Sequence, residues 1–70
     1  MLWENLTVQD HIDIFQMLYK IDAETMNIWV VLFEMKPYRK KVPSQLNKCL
    51  KRKLGLLLSV MSNPLNKLLD

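Results

Sequence analysis

The chain has one histidine, His11, and Asp10 and Asp13 stand on either side of it. An imidazole between carboxylates has the parts of a general base. Catalysis asks for more. No Ser, Cys or second histidine stands at a motif spacing from His11, and one helical turn cannot assemble a triad by itself. His11 therefore reads as a partly buried structural histidine, and the two aspartates as capping or solvated groups. Cys49 would need an activating base to act as a nucleophile, and nothing to act as a small core hydrophobe, so a core position is expected. His11 and Cys49 are too few ligands for structural zinc, and one cysteine cannot close an internal disulfide. A single glycine, Gly55, leaves no Gly-rich phosphate loop. The expectation is a protein with no catalytic residue, no metal site, no cofactor and no small-molecule substrate.

The residues with the clearest chemical bias are basic. Lys36, Arg39, Lys40, Lys41, Lys48, Lys51, Arg52 and Lys53 fall in a segment with no acid from residue 35 to residue 69. Such a run can neutralise phosphates, with Tyr38 available to stack on a base. It can equally complement the acidic first half or a neighbouring subunit, or lie on an anionic membrane surface. The first 35 residues carry a balance of −5 and the rest +8, for a net +3. No helix-turn-helix glycine turn, zinc-finger spacing or RNP-type aromatic pattern is present, so sequence-specific readout has no support. For a nucleic acid or other anion the candidate contacts are Arg39, Lys40, Lys41, Lys48, Lys51 and Arg52.

Helices must position these groups, and the pattern is all-α. Thr7 is a good N-cap with Asp10 in the place of the capping-box acid, so a first helix is expected over about 8–21. Its apolar arc, from Val8, Ile12, Phe15 and Tyr19 to Ile14, Met17, Leu18 and Ile21, covers more than half the circumference and must meet two surfaces. Asp22 can cap a second helix over about 23–36. That helix contains the six consecutive apolar residues Ile28, Trp29, Val30, Val31, Leu32 and Phe33. Three of them are β-branched, so a strand competes; the absence of a pairing segment and of hairpin glycines favours helix. If the run were a strand, its pairing edge would have to come from another chain.

Pro37 and Pro43 bracket an extended basic linker over 37–43. Ser44 then caps a third helix over about 45–61, whose inner stripe is Leu46, Leu50, Leu54, Leu57 and Met61, flanked by Cys49, Leu56 and Val60. Lys53 projects into the apolar arc and Gly55 weakens the polar face; a kink or a close approach near Gly55 would reconcile both. Asn63 and Pro64 can start a short fourth helix over about 64–69, with an apolar edge of Leu65, Leu68 and Leu69.

Seventy residues make a single small domain, which buries only about 60% of its unfolded surface. Half the residues are apolar. Three short helices can scarcely bury them all, which favours a partner-covered surface formed by helices one and two. The expected interface residues are Trp3, Phe15, Tyr19, Trp29, Phe33, Leu65, Leu68 and Leu69. No stretch approaches the roughly 18–20 apolar residues of a membrane span. The lone cysteine and the lack of a signal-like start suggest an intracellular protein.

The opening Trp3-Glu4-Asn5-Leu6-Thr7-Val8, running into a helix with Ile12, Phe15, Leu18 and Tyr19, resembles the start of certain small tail-assembly or virion proteins of tailed bacteriophages. The similarity covers about 18 of the 70 residues. It carries no catalytic motif, and the basic linker and third helix depart from it. The resemblance implies a small helical protein that binds other virion or assembly proteins, in a host cytoplasm or within a virion.

Overall fold

The computed structural model describes residues 2–63. Three helices, α1 (Val8–Leu18), α2 (Ala23–Leu32) and α3 (Lys48–Met61), surround one core, with single 3-10 turns at Lys36–Tyr38 and Pro43–Gln45. No strand occurs among the described residues, so the protein is all-α and the 28–33 run is helical. The short helix expected at 64–69 lies outside the described residues. Val8, Ile12 and Phe15 of α1, Met26 and Val30 of α2, and Leu54, Leu57, Leu58 and Met61 of α3 form the core, completed by Met35 and Leu46 from the connections. Leu58, outside the predicted stripe, is buried, while Leu56 and Cys49 face out. The expectation that Cys49 fills the core is therefore corrected: α3 is rotated so that Leu54, Leu57, Leu58 and Met61 point inward.

α1 starts as its residues predict. Thr7 Oγ1 accepts the Asp10 N–H at 3.0 Å, and Asp10 Oδ2 accepts the Thr7 N–H at 3.0 Å. Two further N–H groups of the first turn find acceptors in the basic linker, Val8 on the Lys41 carbonyl (2.8 Å) and Gln9 on the Arg39 carbonyl (2.9 Å). The linker is thus a cap for α1 as well as a connection, with carbonyls turned to the helix and basic side chains turned to water. It is extended only in part. Lys36–Tyr38 is a 3-10 turn because Pro37 falls where the missing N–H costs nothing, whereas Val42, before Pro43, is extended as proline sterics require.

Both N-terminal helices end sooner than expected, at Leu18 and Leu32 instead of 21 and 36. Lys20 and Glu34 adopt left-handed φ values of 52° and 57°. The following residues then reach back across the helix ends, Ile21 N–H to the Gln16 carbonyl and Met35 N–H to the Val30 carbonyl, each at 3.1 Å. This is the Schellman closure, usually announced by glycine; here its apolar member does the anchoring, since Met35 is fully buried. The left-handed backbone costs each residue on the order of 1 kcal/mol. Burial of the next side chain offsets it.

The third helix starts at Lys48, not 45, and its cap is Asn47, whose Oδ1 accepts the Leu50 N–H at 2.8 Å. Ser44 sits inside the preceding 3-10 turn. The reason is packing: Pro43 and Leu46 are both buried, and Leu46 reaches the core from extended backbone. Gly55 causes neither a kink nor a close approach, because a Cβ built there meets nothing within 4 Å in an unbroken helix. Gly55→Ala should therefore stabilise the protein by about 1 kcal/mol. A urea midpoint that stays put or falls would contradict an unhindered helical site.

Candidate functional site

His11 is wholly buried, and its two nitrogens are both used. The Trp3 backbone N–H donates to Nε2 at 3.0 Å, so Nε2 must carry the lone pair. Nδ1 is then the protonated nitrogen and donates to the Thr7 carbonyl at 2.7 Å. The Trp3 ring packs beside the imidazole, tilted by 35° with centroids 5.5 Å apart. His11 ties the N-terminal turn to α1, and both of its nitrogens are committed to backbone. Among the described residues no three metal-ligating side chains converge.

Of the predicted interface residues, Phe15 is in the core, not on the surface. Its position on α1, about one turn after Ile12, keeps it on the helix's core-facing side. Tyr19, Trp29 and Phe33 are half-buried and lie against the core, with Phe15–Tyr19 and Trp29–Phe33 ring pairs at 5.7 and 6.2 Å. Trp3 is 46% exposed. Leu65, Leu68 and Leu69 lie outside the described residues.

The exposed apolar surface is aliphatic. On α2, Met26 and Val30 face the core at 4% and 7% exposure, while Ile28, Val31 and Leu32 face out at 58%, 52% and 65%. Met17 and Leu18 at the end of α1 are comparably exposed, and Leu56 of α3 is half exposed. The sequence reading missed these residues because it weighted large aromatic side chains as interface anchors. A helical wheel referred to Met26 and Val30 would have found them, since positions 28, 31 and 32 fall on the opposite side.

Among the described residues most of the basic side chains have no ionic partner. Arg39, Lys40, Lys41, Lys48 and Arg52 are exposed and Lys51 is half-buried. One ion pair forms among the described residues, Lys53 Nζ to Glu34 Oε1 at 2.8 Å. Among the described residues the acidic and basic halves therefore meet in this one direct ionic contact. Lys48, Arg52 and Lys53 instead line a shallow channel of about 500 Å³ along α3, with Cys49 and Leu56 as its apolar part. A smaller groove of about 170 Å³ between α1 and α2 has Ile12, Met26 and Val30 beneath a rim that includes Lys36 and Arg39. No helix of the described residues is long and apolar enough to cross a membrane.

Two carboxylates flanking α2 are perturbed. Hydrogen bonds from the Thr25 side chain and backbone hold Asp22, the N-cap, below its ordinary 3.8. The Lys53 ammonium, by hydrogen bond and then by charge, holds Glu34 below 4.5. A depressed folded-state pKa gives stability that is complete above the unfolded value and lost as pH falls through the folded one. Lys53, raised above 10.5 by Glu34, works in the other direction and loses its share as pH rises. Thermal stability should thus decline between about pH 5 and pH 2. Asp22→Asn, which keeps the cap without the titration, should show a shallower decline; an identical acid limb would discount the cap.

Neither a family model, nor a curated protein, nor a solved structure matches the chain. The functional reading accordingly rests on its own residues.

Proposed function

We propose that the protein is a non-catalytic interaction or structural subunit, of the kind found in bacteriophage virions or their assembly, acting inside a host cell or within a virion. It docks through the outer face of α2 and the adjoining apolar end of α1. The observation that carries this reading is the second side of α2, where Ile28, Val31 and Leu32 remain half exposed or more. A helix that is apolar all round is stable when both sides are covered, and the described residues cover one. The experiment is recovery of a stoichiometric protein partner from the native source. Ile28→Glu with Leu32→Glu should abolish recovery, and Lys40→Glu with Lys41→Glu should preserve it. The reverse pattern would overturn the reading.

The exposed cations of the linker and α3 favour a second reading, a small non-specific nucleic-acid-binding protein. Its signature is affinity for duplex or single strands that falls steeply with salt. Retention of neither at low ionic strength would dispose of it.

A further inference from the structure

The interaction reading leaves one question, which is what covers the outer face of α2. The chain itself carries a surface of matching chemistry. The α2 stripe runs from Glu24 through Ile28 to Val31 and Leu32, and no cation occurs from residue 21 to residue 35. The α3 channel has Leu56 and Cys49 as its apolar part and Lys48, Arg52 and Lys53 as its rim, in a segment without acids. We propose that the occupant is a second copy of this chain, with α2 of one copy seated along the α3 channel of the next.

Two observations carry the pairing. Apolar meets apolar, since Ile28, Val31 and Leu32 on one side and Leu56 on the other are the exposed aliphatic groups of α2 and α3. Charge meets opposite charge, since Glu24, Lys48 and Arg52 have no ionic partner within the described residues. Glu34, at the end of α2, already pairs with Lys53 on the channel rim inside one copy, which shows that this rim accepts a carboxylate. An interface of ordinary size takes about 800 Å² from each partner, roughly a sixth of the 5020 Å² surface here. The two surfaces differ, so the contact either pairs with its reciprocal across a two-fold axis or runs on into a ring or filament.

This inference rests on the interaction reading, and sedimentation of the full chain under reducing conditions tests it. The protein should self-associate, and Ile28→Glu or Leu56→Glu should each weaken association at least tenfold without changing the helical melt. Glu24→Lys and the double variant Lys48→Glu with Arg52→Glu should each weaken it by about threefold per exposed pair. An equimolar mixture of those two variants should associate more tightly than either does alone, because the swapped charges match in one direction. Self-association that survives both Ile28→Glu and Leu56→Glu would overturn the proposal, as would a monomer at all concentrations. In the second case apolar-dye binding separates the failures. Dye bound by the wild-type monomer and lost in Ile28→Glu leaves the interaction reading standing with a different partner; no dye binding removes both.

Discussion

His11→Ala is expected to destabilise the protein by about 3 kcal/mol, a large part of the roughly 4–10 kcal/mol available to a domain of this length. The imidazole is fully buried and is the acceptor for the Trp3 N–H and a donor to the Thr7 carbonyl. Truncation removes both bonds, leaves the Trp3 N–H without its acceptor and opens a cavity against Trp3. His11→Phe separates the contributions. It keeps most of the volume and loses only the hydrogen bonds, so a cost of about 1–2 kcal/mol is expected. Urea unfolding followed by helical circular dichroism measures both. A loss below about 1 kcal/mol for the alanine variant would mean that the N-terminal turn is not held by His11.

Met35→Ala is expected to cost about 3 kcal/mol, within the range for truncating a buried methionine. Met35 is fully buried although it lies outside any α-helix. Its N–H closes the end of α2 on the Val30 carbonyl, and its side chain holds Glu34 in the left-handed region. Leu32→Ala, three residues earlier, should change stability by no more than about 0.5 kcal/mol, because Leu32 is 65% exposed. The contrast separates residues that hold the fold from residues free to meet a partner. Equal costs at the two positions would place Leu32 in the core and remove the central support for docking through α2.

Much of the architecture was legible without coordinates. The Thr7 and Asp22 caps, the α1 capping box and the helical state of residues 28–33 all follow from local hydrogen bonding and periodicity, which act within a few residues. Helix ends were less legible. Lys20 and Glu34 have no intrinsic reason to turn left-handed, and glycine, the usual signal, is absent from both sites. The start of α3 moved from Ser44 to Asn47 because Leu46 had to reach the core first, a demand made by residues distant in the chain.

The apolar run in α2 shows the same division. Its composition alone determined that the helix would need cover on more than one side, because six apolar residues in succession leave no polar face. Which residues stay uncovered was a tertiary decision: Met26 and Val30 turn inward, and that rotation turns Ile28, Val31 and Leu32 outward. Sequence also determined the charge division between the halves, but whether they would pair was settled by where side chains lie in space. With one contact, Glu34 to Lys53, formed among the described residues, most of the basic charge remains available at the surface. Periodicity specifies that a helix has faces; only the packing of neighbouring elements specifies which face is left over.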